Sequence, residues 1–585
     1  MRHTLSFSKE KTNTAGIVHW LILFGVSGIT LLVLTYGLLV PDWFGEGRYL
    51  TPPIPFGEQM PEMDQTLSDL PPKTEGTPEG QAVLRRWSKS DLPDWETYGK
   101  CTAPRVLLAK LAANVDVEAA NQYLCAATPW SGAGSDWTFH RGDYDFTLVT
   151  LTTLLYMFGH QPDRLYPETQ QYMLDVLLNQ DGGVPLVTAP RTFGLILDTE
   201  NHHLMTEGSR YLKNQWLAAN GSEDQRADPR YNNQENGLEA WLIAHLEEML
   251  HEGVYEFNSR PYVGYTLQAL LNLEAYPESS QIRLLARHLL DIINLQYALG
   301  SLDLRRYPPF RRQYRQERNT KMQSDSHTAY MRIWTGGENH RPGPYDDFAL
   351  LAELLPYRLP EDVRTWTLTK PDHYFARYGR GASACPELYS GGPGYLLSAG
   401  GANRGWRSRI VARPITLMIS DGATDAEQCF QIPGHGHWRR WNSTGVYRRF
   451  AVANAPVIIP KGQKPVAEGS GWQLFKGMEV SSLLIATYSS ARLGIIALFP
   501  ETEEAPEALL ASLQQQNPDS EALRIRFAWP DGNVLEYDPD APKGTWVMKS
   551  ENGVMLDRNY DGWPQLDGDM PAISFDRSKK NTKNL

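Results

Sequence analysis

The chain has 585 residues, of which 41% are hydrophobic and 21% are charged, and it contains 17 Trp and 28 Tyr. This composition excludes a disordered protein, and the length predicts two or more folded units. With 56 Lys and Arg against 68 Asp and Glu, the formal net charge of -12 provides no general basic surface. We therefore expect no nucleic-acid partner.

The first predicted element is a membrane anchor. Residues 17–40 contain no charged side chain, and about 20 apolar residues at ~1.5 Å each span a hydrocarbon core about 30 Å thick. Arg2, Lys9 and Lys11 precede this run, so the positive-inside rule keeps residues 1–16 in the cytoplasm. The bulk of the chain is then exported to the periplasm or the exterior. A cleaved signal peptide is the alternative, but its apolar region is normally only about 7 to 15 residues.

A segment rich in Pro, Gly and acidic residues, 41–80, predicts a semi-rigid linker. From 81 to 369, apolar residues recur at helical spacing. The predicted helices are 144–158, 168–179, 202–219, 238–251, 262–274 and 280–297. Because short loops join these helices, they predict stacked hairpins, and an incomplete α/α toroid would bury the inner helix of each hairpin.

From 370 to 570 the apolar period changes to two, which is typical of an antiparallel β-sandwich. The predicted strands are 409–420, 472–475, 482–488 and 493–499. Two hairpin turns are indicated by Pro-Asp-Gly-Asn at 530–533 and Asn-Gly at 552–553. Residues 571–585 read as a frayed tail. The predicted fold class is multidomain α+β, with a membrane helix, a helical toroid and a β-sandwich.

Candidate chemical groups concentrate in the middle of the helical part. Asn201 and His202 stand at the start of one predicted helix, and Tyr262 and Tyr265 share a face of a later one. Two structural alternatives stay open: Asn201 could cap the helix that begins at His202, and the tyrosines could form an ordinary packing stripe. If His202 faces a cleft, His203 faces elsewhere, since adjacent helical residues lie about 100° apart.

This layout resembles the heparinase II/III-like and alginate-lyase-type polysaccharide lyases. The residues that carry the resemblance are Asn-His at 201–202, Gly-Val-Tyr-Glu at 253–256 and Tyr-Val-Gly-Tyr at 262–265. It covers roughly residues 81–567 and implies cleavage of a uronic-acid-containing glycan by β-elimination. The chain departs from the family pattern at 257–259, where Phe-Asn-Ser follows the glutamate.

β-Elimination beside a sugar carboxylate needs a donor for that carboxylate, a base for the C5 proton and an acid for the leaving oxygen. The resemblance implies that Asn201 donates its amide to the carboxylate, that His202 orients the substrate or acts as the base, and that Tyr262 shuttles the proton. A tyrosine with an ordinary pKa of about 10 acts as a base only beside cationic groups. Arg260, His202 or Arg141 could supply the charge.

Further residues are predicted to bind substrate. They are His140, Arg141, Arg260, Tyr265, Glu256 and His327. Glu256 could fix an imidazole tautomer. Six arginines between 305 and 318, interleaved with aromatic residues, predict a basic surface for a polyanion. The alternative is a solvated loop paired with acidic neighbours.

No cofactor is predicted, although His435 and His437 could hold a structural divalent metal. The cysteines predict one disulfide within each half of the chain in an oxidising compartment. The pairs would be Cys101 with Cys125 and Cys385 with Cys429.

The leading interpretation is a membrane-anchored polysaccharide lyase whose substrate is an anionic polysaccharide. A glycoside hydrolase on an α/α toroid is one alternative, because it needs two carboxylates about 5 to 10 Å apart. Candidates for that pair are Asp143, Asp145, Glu200, Glu207 and Glu256. A non-catalytic envelope protein that holds or guides an anionic glycan during export is the other.

Overall fold

The structure is a computed structural model. It describes residues 23–31, 76–129, 143–188, 198–336, 345–371, 373–378, 386–401, 410–434, 441–477, 483–501 and 505–560. The chain divides into two compact units, Met1–Thr51 and Pro52–Leu585. The first unit contains a helix at 23–31 whose side chains are exposed. Among the residues described, no helix is long and apolar enough to cross a membrane. Most of the predicted anchor at 17–40 lies outside them.

The second unit is mixed α+β, as the sequence predicts, and helices fill its first part. They are α1 (Pro78–Ser88), α2 (Trp95–Tyr98), α3 (Thr102–Ala113), α4 (Val117–Ala126), α5 (Asp145–Phe158), α6 (Pro167–Tyr172), α7 (Glu200–Asn220), α8 (Glu223–Ala227), α9 (Leu238–Glu252), α10 (Tyr262–Ala275), α11 (Ser280–Leu299), α12 (Ser326–Thr335), α13 (Ala349–Leu354) and α14 (Glu361–Leu368). A π-helical segment, Met173–Leu177, continues α6.

Helices α5, α7 and α10 pack against one another in the helical core. Buried polar side chains fix their register: Gln268 of α10 donates to Thr150 of α5 at 2.8 Å, and Thr153 donates to Asn272 at 2.9 Å. Such bonds are costly to break in a low-dielectric interior, so they specify one alignment of the helices. As a result the N-terminal ends of α5, α7 and α10 meet, and the candidate site lies there.

Antiparallel sheets fill the remainder of the unit. The strands are β1 (Phe310–Arg311), β2 (Tyr374–Tyr378), β3 (Glu387–Gly392), β4 (Tyr395–Gly400), β5 (Ile410–Val411), β6 (Ile415–Ile419), β7 (Phe430–Ile432), β8 (Val446–Tyr447), β9 (Phe450–Ala453), β10 (Ala467–Gly469), β11 (Trp472–Lys476), β12 (Leu483–Ser490), β13 (Leu493–Pro500), β14 (Arg526–Ala528), β15 (Val534–Tyr537), β16 (Met548–Glu551) and β17 (Val554–Met555). One further helix, α15 (Pro506–Gln516), follows β13.

The strands form sheets with the orders β2-β3-β4-β6-β7, β10-β11-β12-β13-β9-β8, β14-β15-β16-β17 and β1-β5. The first three share one hydrophobic core, in which Leu417, Ile485 and Phe527 are all buried. The helical and β parts are also bound together directly. Strand β1, from the helical part, pairs with β5, and Arg305 donates to the carbonyl of Ile419 at 2.9 Å.

Two sequence-based expectations about this part of the chain are wrong, and a third is met only in part. The strand predicted at 409–420 is broken into β5 and β6, because Pro414 between them has no N–H for a sheet. The predicted basic surface forms only in part: Arg305, Arg306 and Arg311 are 1–3% exposed, whereas Arg315 and Arg318 are exposed. Finally, Cys101 and Cys125 are free thiols rather than a disulfide. Their partners include the Tyr265 hydroxyl for Cys101 and the Thr169 hydroxyl for Cys125. Cys385 lies outside the described residues.

Candidate functional site

The side chain of Asn201 is buried inside the first turn of α7. The helix begins at Glu200 with Thr199 in the capping position, so the alternative that Asn201 caps the helix is wrong. The Thr199 hydroxyl donates to the Asn201 amide oxygen. The amide nitrogen Nδ2 is buried and has no hydrogen-bond partner in the described part of the chain. A buried donor in this state costs about 1–3 kcal/mol, so it calls for a functional explanation.

His202 lies between two carboxylates. Its Nδ1 is 2.5 Å from Asp145 Oδ2, and its Nε2 is 3.7 Å from Asp198 Oδ1. Burial alone would lower the pKa of His202, but Asp145 and then Asp198 raise it to about 10. The imidazole is therefore protonated at neutral pH and cannot accept a proton there. Of the two roles that the resemblance implies, this charge state favours orientation of the substrate over base catalysis.

His203, unlike His202, packs against other rings. It bonds the carbonyl of Val187 at 3.0 Å and contacts the rings of Trp241 and His245. Burial, and then the charge of His245, lower the pKa of His203 to about 3. It is thus a neutral packing residue, in agreement with the prediction that only one of the two histidines faces the site.

Arg312 links the separate parts of the site. It forms an ion pair with the buried carboxylate of Glu256, lies 4.9 Å from the centre of the Tyr262 ring and donates to the Thr199 hydroxyl at 3.5 Å. Burial would lower the pKa of Arg312, but Glu256 raises it above its ordinary value, so the guanidinium is cationic. Its side chain is 24% exposed.

The backbone that presents Arg312 is strained. Arg312 and Gln313 adopt φ angles of 67° and 61°, a left-handed conformation that costs a residue with a side chain roughly 1 kcal/mol or more. The strain directs both side chains toward Tyr262, since the Gln313 amide donates to the Tyr262 hydroxyl at 3.4 Å. Consecutive strained residues of this kind are found at functional sites more often than elsewhere.

Tyr262 is half-buried at the first position of α10. Phe146 connects it to His202, with ring centres 6.4 Å from Tyr262 and 5.5 Å from His202. On the other side, Arg312 connects Tyr262 to Thr199 and hence to Asn201. The predicted catalytic trio therefore belongs to one contact network. Within it, Asn201 and His202 are enclosed, while Tyr262 is partly open.

Glu256 is fully buried next to this network. In addition to its ion pair with Arg312, its backbone N–H donates to Glu200 at 2.7 Å. Within the described part of the chain it bonds to neither imidazole ring, and its observed role is to hold Arg312 and the start of α7 together. As a substrate-binding residue, Glu256 stays a prediction.

Three other predicted binding residues lie in buried networks of their own. The Tyr265 hydroxyl is 2.6 Å from the Cys101 sulfur. Arg260 donates to Ser324 and to the carbonyl of Lys321, at 2.5 and 2.6 Å. His327 bonds Asn294 at 2.8 Å and is almost fully enclosed. Each therefore has an internal partner. His140 and Arg141, like His435 and His437, lie outside the described residues.

One group of side chains has the spacing of a metal site. Ligand atoms of Asp143, Asp145 and His202 lie within 4.8 Å of one another. However, Lys100 forms an ion pair with Asp143, and protonated His202 is paired with Asp145. Lys100 and His202 thus already neutralise the charges of the two carboxylates, so the group needs no metal ion for charge neutrality.

The sequence interpretation missed Asp145 as the partner of His202 and Arg312 as the centre of the site. A signal for Asp145 was present: it is the one charged residue of the helix Asp145–Phe158, and a buried carboxylate needs a partner. Arg312 gave no such signal, because five other arginines surround it in the sequence between 305 and 318.

No family model matches this chain, and no curated protein is significantly similar to it.

Proposed function

We propose that the protein is a polysaccharide lyase that cleaves a uronic-acid-containing glycan by β-elimination. The observation that carries the proposal is the Asn201 amide nitrogen, which has no partner among the described residues and lies in one network with the cationic Arg312 and the phenol of Tyr262. An amide, a guanidinium and a phenol are the groups that a sugar carboxylate and its neighbouring C5 proton require.

In the proposed reaction, the substrate carboxylate approaches from the partly open side formed by Tyr262 and Arg312. Arg312 binds the carboxylate, and Asn201 supports it by donating its free N–H. Neutralising the carboxylate in this way makes the C5 proton more acidic, because the charge that develops on its oxygens is stabilised by fixed donors. Protonated His202 adds positive charge behind them.

Tyr262 then moves the proton. Its phenolate oxygen takes the proton from C5, and the C5–H electron pair forms the C4–C5 double bond as the C4–O4 bond breaks. The same hydroxyl returns the proton to O4, the leaving oxygen. The hydrogen bond from Gln313 holds the phenol in place during both transfers. The products are one chain with an unsaturated uronate at its non-reducing end and a second chain with a new reducing end.

The proposal includes the finer architecture and the location. The meeting of the N-terminal ends of α5, α7 and α10 supports an α/α toroid, whose inner helices run in the same direction. The core common to the five-, six- and four-stranded sheets supports a β-sandwich. The uncharged run at 17–40 supports a single-pass anchor with the enzyme outside the cytoplasm.

The test is to incubate the full chain with a panel of uronate polysaccharides and follow the ultraviolet absorbance of the unsaturated product. Tyr262→Phe and Asn201→Ala should remove this activity, whereas Tyr98→Phe, at an exposed tyrosine on α2, should keep it. New reducing ends without ultraviolet absorbance would instead indicate hydrolysis. Activity that survives in both site variants would refute the proposed mechanism.

A second candidate is a glycan-binding protein without turnover. The observation that favours it is the enclosure of Asn201 and His202, which are 0% and 2% exposed. Under this hypothesis the network is a rigid support, and Arg312 alone contacts the glycan. Tight binding of a uronan with no product, weakened by Arg312→Gln but not by Tyr262→Phe, would favour binding over catalysis.

A further inference from the structure

The β part contains a cavity of about 540 Å³. Its walls come from β12, β13, the turns that follow β8 and β14, and the end of β16, and it shares no residue with the site around His202. Sites for small ligands typically have volumes of about 300–1,000 Å³. The cavity is thus large enough for one unit of a ligand.

One wall of the cavity is apolar and rigid. Trp529 is half-buried, and its ring lies 5.2 Å from Phe499 and 5.1 Å from Phe527, centre to centre. Leu484 and Leu535 extend this wall. Because the neighbouring rings hold the indole in place, a ligand that packs on Trp529 costs little side-chain entropy. An indole of this kind suits the apolar face of a sugar ring.

Other residues that line the cavity are polar. The Tyr447 hydroxyl donates to Glu551 at 2.9 Å, and Arg448 lies 3.5 Å from the same carboxylate. Arg448 has a left-handed backbone with φ of 48° at the turn between β8 and β9. These contacts neutralise Glu551 and fix the turn, and the next residue in that turn is Arg449.

Arg449 lines the cavity and is half-buried. Across the residues that the structure describes, its guanidinium has no hydrogen-bond or ion-pair partner, in contrast to Arg448. A partly desolvated cation is stabilised when it meets an anion, and a guanidinium binds a carboxylate with two parallel hydrogen bonds. The cavity therefore offers a carboxylate position at Arg449 and an aromatic wall at Trp529.

We propose that this cavity binds one uronate unit of an anionic glycan, with the sugar carboxylate on Arg449 and the apolar ring face on Trp529. An apolar acid would bury polar groups such as Asp531 and Asn533 against hydrocarbon, whereas sugar hydroxyls can bond to them. The choice of a uronate glycan rests on the proposed function. A second site on the same chain would give the polymer a second point of attachment.

The proposal can be tested by calorimetric titration of the full chain with glucuronate, glucose and cyclohexanecarboxylate. Arg449→Gln should weaken glucuronate binding about 10-fold or more and leave glucose unchanged, since it removes a charge-assisted bond. Trp529→Ala should weaken both sugars. Arg526→Gln, which changes an exposed arginine on the nearby strand β14, is the matched control and should change neither.

Trp529→Phe keeps an aromatic wall and should retain most of the affinity, which separates lost stacking from a misfolded protein. Equal glucuronate affinity in the wild type and Arg449→Gln would overturn the proposal. So would tighter binding of cyclohexanecarboxylate than of glucuronate, which would indicate an apolar-acid site. The readout is binding alone. Loss of glucuronate affinity in Arg449→Gln therefore supports this site even if no uronan is cleaved.

Discussion

His202 and His203 are adjacent in α7, yet they have opposite charge states in the folded protein. Two carboxylates, Asp145 and Asp198, raise the pKa of His202 to about 10 against the effect of burial. Burial and a neighbouring imidazole lower the pKa of His203 to about 3. One helix turn thus holds a fixed cation on its site-facing side and a neutral ring on its packed side.

This difference predicts opposite effects of pH on stability. Because the folded pKa of His203 is below the unfolded value of about 6.5, its contribution is present above that pH and is lost as the pH falls toward 3. The contribution of His202 is present below about pH 6.5 and is lost as the pH rises through about 10.

Denaturant unfolding of His203→Gln and His202→Gln across a pH series measures both effects. Between about pH 6 and pH 4, the free energy of unfolding should fall less steeply for His203→Gln than for the wild type, by up to roughly 1.4 kcal/mol per pH unit. The deficit of His202→Gln should shrink above about pH 7. Curves parallel to the wild type throughout would contradict the assigned charge states.

Under the proposed function, Arg312→Gln should reduce elimination by about 10² to 10³-fold in kcat/KM, because it removes the charge proposed to bind the substrate carboxylate. It also leaves Glu256 buried without its cation. Arg315→Gln, at an exposed arginine three residues later, should leave the rate unchanged. Steady-state kinetics on a cleaved uronan measure both. An equal loss of kcat/KM in the two variants would mean that the rate depends on the total positive charge of this region rather than on the position of Arg312.

Gly264, in the turn of α10 that follows Tyr262, should not tolerate a side chain. A Cβ there would lie 2.6 Å from Ser326, whose hydroxyl accepts from the Gly264 N–H at 3.0 Å. Gly264→Ala should therefore separate α10 from α12 and destabilise the protein by about 1–3 kcal/mol.

Gly208 in α7 is the matched control, since its nearest atoms would be 3.5 Å from an added Cβ. Gly208→Ala should stabilise the protein by about 0.5–1 kcal/mol through the lower entropy of the unfolded chain. Measuring the free energies of unfolding of the two variants tests both predictions. Destabilisation of similar size in both variants would contradict the packing described for α10.

Local signals predicted much of the fold. The hairpin at 552–553 is confirmed, because Asn552 and Gly553 have the left-handed φ angles of 51° and 80° that such a turn requires. Helix α10 is confirmed as Tyr262–Ala275 from apolar spacing alone. The helix Pro506–Gln516 was missed. It lies among strands, where a short amphipathic run gives a weak signal against the surrounding period of two.

The candidate site was less predictable because long-range contacts build it. Arg312 and Glu256 are 56 residues apart, as are the Glu256 N–H and Glu200. Asp145 is 57 residues from His202. Sequence spacing indicates which residues share a helix face, but which helix ends meet depends on core packing. The charge state of His202 depends in turn on which helix ends lie together.

A buried ion pair joins three helices behind the site. Arg105 of α3 is 1% exposed and forms an ion pair with Asp347, next to α13. It also donates to Gln268 of α10 at 3.1 Å and lies 3.8 Å from the centre of the Phe348 ring. Arg105→Gln should cost about 3–5 kcal/mol, because it leaves the Asp347 carboxylate without its cation.

Arg85→Gln, at an exposed arginine of α1, should cost less than about 0.5 kcal/mol. The double variant Arg105→Leu with Asp347→Leu separates the lost attraction from the unpaired charge. Since replacing a whole buried pair with apolar groups is often nearly neutral, the double variant should be more stable than Arg105→Gln. Denaturant unfolding of all three measures this. A double variant no more stable than Arg105→Gln would mean that the guanidinium acts mainly through packing on Phe348, because that contact is lost in both.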